Sequence, residues 1–197
     1  IGAPFLFRNY GWSGDTAARI SARCGAVPQS VQVVILNLGP NDMLSVSAGA
    51  SAGAVTTAVN ALMAIVQPLV AALVARGKFV VLTTIYPNNA LTPNTDARIS
   101  FLNQVNAAYL ALHNGSTVWV VDSFAALSDG AALDLGTATA NYLDAGGTHL
   151  TNLGAQVAGS TATTALREVA LRCLPDVDVY ANYNLARGLY TAFNTGT

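Results

Sequence analysis

The chain has 197 residues, of which 52% are hydrophobic and only 10% charged, and its net charge at pH 7 is -1. That length suits one ordinary domain able to bury its own core, and charge far below the roughly 25% usual in soluble domains leaves Asn, Thr and Ser to solvate the surface. With no basic run or stripe, the composition argues against nucleic acid and anionic membrane surfaces, both of which are held by clustered Lys and Arg.

In chain order, "PFLFRN" (4–9) reads as a short apolar strand that runs through "YGWSG" into a helix over 15–24, with Gly14 or Asp15 near its start. "VQVVILNLG" (31–39) is rich in β-branched residues and apolar on both faces, as a buried parallel strand is. Residues 53–75 follow as 23 positions without a charge, long enough to cross a bilayer by the rule of about 20 residues. Thr56, Thr57, Asn60, Gln67 and Pro68 interrupt them, while Leu62, Ile65, Val66, Leu69, Val70 and Leu73 recur at helical spacing. The expectation is a helix packed on a sheet rather than a membrane span, with Arg76 in its last turn and Gly77 as its stop.

"KFVVLTTIYP" (78–87) is a second buried strand, followed by a Pro/Asn loop, a helix over 98–113 closed by Asn114-Gly115, and a third strand at 117–122. A looser Ala/Gly/Leu region precedes a last helix over 152–174, which stops at Pro175. Strands alternating with helix-length crossovers imply a parallel sheet with helices on both faces. Residues 1–175 form this domain, and the Tyr/Asn-rich residues 176–197 are a C-terminal extension or the start of a linker or second module. No initiator Met and no signal peptide open the chain, which implies processing, truncation or excision from something longer. The low-charge, Thr/Asn-rich surface leads us to expect a secreted or extracellular location. Cys24 and Cys173 form one disulfide in an oxidising compartment or remain buried or half-buried thiols. Neither lies in a CxxC or a His-rich cluster, so no metal site is expected.

In open α/β sheets ligands bind at the carboxyl ends of the strands, and three polar motifs fall there: "NYGWSGDT" (9–16), "NLGPNDM" (37–43) and "DAGGTH" (144–149). In the second, Asp42 is the only charged residue between Gly25 and Ala75, and Asn41 stands beside it in a turn made by Gly39 and Pro40. An Asn amide at a strand end is either an oxyanion donor or one half of a local Asx turn. In the first, Gly11 and Gly14 let backbone approach a ligand closely, and a free Gly14 amide near a helix start is a second candidate donor. Asp15 reads as the cap of that helix. In the third, His149 needs a carboxylate to fix its tautomer, and Asp144, across Ala-Gly-Gly, is the nearest in sequence. The other histidine, His113, reads as a cation at the negative end of a helix dipole.

Together, in this order and one per strand end, the three motifs resemble the SGNH hydrolases, the GDSL family of serine esterases and lipases. The resemblance runs over residues 4–173 and includes "TTIYPN" (83–88) at a strand end where the family commonly carries proline. It implies a three-layer α/β/α, flavodoxin-like parallel sheet. It also makes His149 the base, Asp144 its acid partner, and Gly14 N–H with the Asn41 side chain the oxyanion hole. The chain departs from the family's pattern twice. Asp144 lies five residues before His149 rather than three, so that Gly146 occupies the usual position, with Asp134 and Asp122 as substitute carboxylates. The Gly-Asp-Ser tripeptide occurs nowhere in the chain. The first strand and the nucleophilic serine are therefore expected upstream, on an N-terminal peptide, with Ser13 as the alternative nucleophile. The resemblance implies a carboxylic ester hydrolase without metal or organic cofactor, acting on small-molecule, carbohydrate O-acetyl or lipid-like esters. The rival reading is a catalytically inactive carbohydrate-binding or structural module on the same scaffold.

Overall fold

A computed structural model describes residues 9–93, 95–129 and 136–173. The strand expected at 4–9 (apart from Asn9), Asp134 and the tail from 176 onward lie outside the described residues. The elements in order are α1 (Ala17–Cys24), β1 (Val33–Asn37), α2 (Pro40–Leu44), α3 (Ala52–Ala75), β2 (Phe79–Thr83), α4 (Ala97–Leu110), β3 (Val118–Val121), α5 (Ser123–Leu127) and α6 (Asn152–Cys173). The strands form a parallel sheet in the order β1-β2-β3, with Ile35 opposite Val81 and Val81 opposite Trp119.

Side chains alternate across the pleat, and both faces of the sheet are covered. Leu36, Val80, Leu82 and Val118 join the core made with α1, α3 and α4, while Val81, Trp119 and Val121 meet Leu166 and Val169 of α6 on the other side. The result is the α/β/α layering that the sequence implies. Burial is uneven across it. Val80, Val81 and Leu82 of the central strand are fully buried, whereas Ile35 of β1 is 45% exposed. Among the described residues β1 pairs with β2 alone, and α6 reaches the side chains of β2 and β3 rather than Ile35.

The uncharged helix α3 is amphipathic by size. Val55, Val59, Leu62, Met63, Val66, Leu69, Val70 and Leu73 are buried, while Thr56, Thr57, Asn60, Ala64, Gln67 and Pro68 face outward. It is the one helix among the described residues long and apolar enough to cross a membrane by length and composition. Pro68 cannot donate to the Ala64 carbonyl, and both residues lie on the exposed face, where water can reach the freed oxygen.

Two boundaries differ from the sequence reading for identifiable reasons. The strand expected over 78–87 ends at Thr83 because the next residues bond sideways. Thr84 Oγ1 approaches Asp122 Oδ1 at 3.2 Å, and the Asn106 side chain clamps both the N–H (2.8 Å) and the C=O (2.9 Å) of Ile85. The turn at Gly39-Pro40 is the start of the short helix α2. Gly39 caps it at φ 102°, with Pro40 in its first turn. The positive φ favours glycine here, and a Cβ on Gly39 would also push against Ile85 Cδ1, 2.6 Å away.

Cys24 is a buried free thiol, its pKa raised first by burial and opposed by Arg23 and Arg76; the side chain of Cys173 lies outside the described residues. His113 is not a helix-end cation in the expected sense. Its Nδ1 accepts the Val120 N–H at 3.1 Å, so that the ring sits on the edge of β3 that no strand among the described residues pairs.

Candidate active site

The first two motifs meet at the carboxyl end of β1. Asn41 Nδ2 donates to the Asp15 carbonyl at 2.8 Å, and Asp42 Oδ2 accepts from Ala17 N at 2.9 Å. These bonds span 26 and 25 residues, so the Asn-Asp pair is a clamp between segments and not a local Asx turn. The Asp42 carboxylate sits on the first amide of α1, where the helix dipole favours a negative charge. The capping expected of Asp15 is thus performed by Asp42, and Thr16 occupies the N-cap position without a side-chain bond.

Asp15 has a different occupation. Its buried carboxylate pairs with the Arg23 guanidinium and accepts from Trp12 N at 3.2 Å. The Arg23 hydrogen bond is the main cause holding its pKa below the ordinary carboxylate value. Arg23 lies 5.6 Å from the centre of the Trp12 ring. Within this frame Gly14 is exposed at φ 78°, and its amide has no hydrogen-bond partner among the described residues. Asn41 has used one amide hydrogen and has a second. The Gly14 N–H and the Asn41 side chain are therefore two donors carried by segments that the Asn41–Asp15 bond ties together. Ser13 is exposed in the turn immediately before Gly14.

The third motif is a hairpin. Leu143 bridges Leu150, Asp144 N donates to His149 O at 2.8 Å, and Thr151 N donates to Tyr142 O at 3.0 Å. Asp144 and His149, five apart in sequence, are thereby cross-strand neighbours through the His149 main chain. The Asp144 carboxylate accepts from the amides of Thr148 (3.0 Å) and His149 (3.2 Å). Those two bonds, Thr148 first, lower its pKa from the ordinary value, with the charge of His149 as a smaller cause. The imidazole itself is exposed and makes no hydrogen bond among the described residues. Asp122, a substitute acid in the sequence reading, is engaged elsewhere: it caps α5 through Ala125 N (2.9 Å) and meets Thr84.

The loop after β2, unassigned by sequence beyond its proline, carries the histidine hairpin. Asn89 N donates to Gly147 O at 2.9 Å, Asn88 N donates to Gly136 O at 3.0 Å, and Asn89 Oδ1 accepts from Ala138 N at 2.7 Å. Tyr86 is half-buried there, its pKa raised by burial first and by the Asp144 charge second. Tyr109 donates from α4 to the Leu38 carbonyl at 3.3 Å, fixing the chain just before Gly39. The only advance sign of this scaffold is the Gly146-Gly147 pair, because Asn88 and Asn89, which hold it mainly through their main-chain amides, look like ordinary loop residues. Among the described residues no group of three or more His, Cys, Asp or Glu side chains could hold a metal ion.

The chain matches the model of the GDSL-like Lipase/Acylhydrolase family over residues 3–157. A proposed acylhydrolase from Bacteroides fragilis superposes with a TM-score of 0.58 at 20% identity, covering 79% of this chain and 71% of that one. A member of the lipolytic protein G-D-S-L family from Veillonella parvula gives 0.57 at 18%, covering 81% and 79%. A proposed platelet activating factor from Streptococcus pneumoniae gives 0.54 at 24%, covering 78% and 69%. These likenesses show a shared fold. No curated protein matches the chain.

Proposed function

We propose, on the premise that the chain belongs to the GDSL-like lipase/acylhydrolase family, that its hydrolase activity is that of a serine esterase. A serine hydroxyl attacks the ester carbonyl, and His149 takes the proton and returns it to the leaving alcohol. The Gly14 N–H and the Asn41 amide receive the oxyanion of the tetrahedral intermediate. Asp144 acts on His149 as a positioning residue: it holds the hairpin through two main-chain bonds and places a negative charge beside the imidazolium. No metal or organic cofactor takes part.

The observation that carries this reading is the clamp at the end of β1. Asn41, held at 2.8 Å from the Asp15 carbonyl, is tied to the segment that carries Gly14, whose exposed amide has no hydrogen-bond partner among the described residues. The substrates we infer are small carboxylic esters, including O-acetyl groups on carbohydrate.

Fluorophosphonate labelling followed by peptide mass spectrometry tests the reaction and finds the nucleophile. A single labelled serine is expected, with labelling slowed by about 10²–10⁴-fold in His149→Ala. A label on Ser13 would place the nucleophile beside Gly14. Absence of label and of ester hydrolysis in the folded protein would defeat the esterase reading and leave a binding module.

A further inference from the structure

Resting on the esterase reading, we propose that Trp12 is a platform on which a sugar ring of the ester's alcohol portion stacks. Trp12 is 73% exposed and Tyr10 is 48% exposed, and they are the only aromatic residues among the exposed large hydrophobic side chains of the described region. Both lie within four residues of Gly14. Among the other described rings, Trp119, Tyr109 and Phe101 are each at most 1% exposed.

The main chain beneath the indole is held in place. Trp12 N donates to the Asp15 carboxylate at 3.2 Å, and Asp15 N donates back to Trp12 O at 3.3 Å. The Arg23 guanidinium, paired with that same carboxylate, lies 5.6 Å from the ring centre. A turn fixed in this way need not be ordered when a ligand arrives. Asp15 also carries the carbonyl that receives Asn41 Nδ2. One residue thus sets the register between the platform and the candidate oxyanion donors.

The neighbouring residues bear on the ligand. Asn9, Gly11, Ser13 and Gly14, next to Trp12 in sequence, are exposed and offer amide and hydroxyl groups. The Arg23 charge is matched by Asp15, and Arg19 adds a positive charge that also acts on Asp15. A pyranose has the complementary form: a C–H face for the indole plane and a rim of uncharged hydroxyls for the polar neighbours. A lipid would leave those neighbours desolvated without partners.

The protein has two tryptophans, and Trp119 is 1% exposed, so a ligand-induced change in tryptophan emission reports Trp12. We expect xylohexaose or cellohexaose, which carry no ester, to shift or quench the emission. The response should vanish in Trp12→Ala and persist in part in Trp12→Tyr, while phosphatidylcholine vesicles do nothing. In Trp12→Ala, kcat/KM for acetylated xylohexaose should fall relative to that for ethyl acetate by roughly three- to tenfold. No response to either saccharide, or a response to vesicles instead, overturns the proposal, as does an equal loss on both esters. The titration needs no turnover. Saccharide binding without hydrolysis would uphold the platform while the esterase reading fell, and hydrolysis without saccharide binding would do the reverse.

Discussion

Asp15 and Asp42 exchange the roles that their positions suggest. By sequence Asp15 stands where a helix cap belongs, yet its carboxylate is committed to Arg23 and Trp12, and α1 receives its first carboxylate from Asp42. Local patterns could not reveal the cap, because Asp42 lies 25 residues from the Ala17 amide it accepts from. Asn41 depends on the same frame. Asn41→Ala should lower kcat by about 10²–10³-fold with little change in KM, the signature of a lost oxyanion donor; a change confined to KM would assign Asn41 to substrate binding alone. Asp144 offers a test by pH. Its pKa is lowered in the folded protein by the Thr148 and His149 amides, so its contribution is complete above the unfolded value of about 3.9 and is lost as pH falls through the lower folded value. Hydrogen exchange, corrected for intrinsic rates, should show the Thr148 and His149 amides protected at neutral pH and less protected in acid. That acid-induced loss should be absent in Asp144→Asn. Equal protection in the wild type across that range would contradict the assignment.

At the scale of elements, the candidate base is delivered by a hairpin docked on a loop. Gly147 has φ 70°, and a Cβ there would stand 2.9 Å from Ala90 N and from the Asn89 carbonyl carbon. Gly146, its neighbour, has room: the nearest atom to an added Cβ is Asp144 Oδ1 at 3.5 Å. Gly147→Ala should therefore strain the hairpin by about 1–3 kcal/mol and lower esterase activity by displacing His149. Gly146→Ala should behave nearly as the wild type. Comparison of kcat and melting temperature for the two variants checks this, and equal effects would mean that the docking is not what holds the histidine. The glycine pair was legible as a tight loop. Which glycine carries the constraint was not, because that depends on Asn89 and Ala90, more than fifty residues earlier in the chain.

For the whole molecule, α3 lays one apolar face on the core and turns the other outward. Leu73 is 1% exposed, and Leu73→Ala should cost about 2–5 kcal/mol in denaturant unfolding. Ala64→Lys, on the outward face, should stay within about 0.5 kcal/mol. Strong destabilisation or loss of solubility in Ala64→Lys would mean that the outward face is covered in the native protein. β1 carries the opposite lesson. Its run Val-Val-Ile-Leu reads as buried on both sides, yet Ile35 is 45% exposed, because burial is set by the neighbouring strand and helix and not by the run itself.

What the sequence by itself determined is the order of the described strands and helices, the parallel α/β/α class, the apolar stripe of α3 and the polar segment at the end of β1. Each of these follows from local periodicity or from turn residues within a short window, and the family membership agrees with them. Only the tertiary structure decided that Asn41 grips the Asp15 carbonyl, that Asp42 caps α1, that Asp144 holds its hairpin by main-chain amides, and that Trp12 stands bare beside Gly14. Those facts rest on hydrogen bonds and burial between distant segments, and such contacts exist only once the sheet has brought its carboxyl ends together.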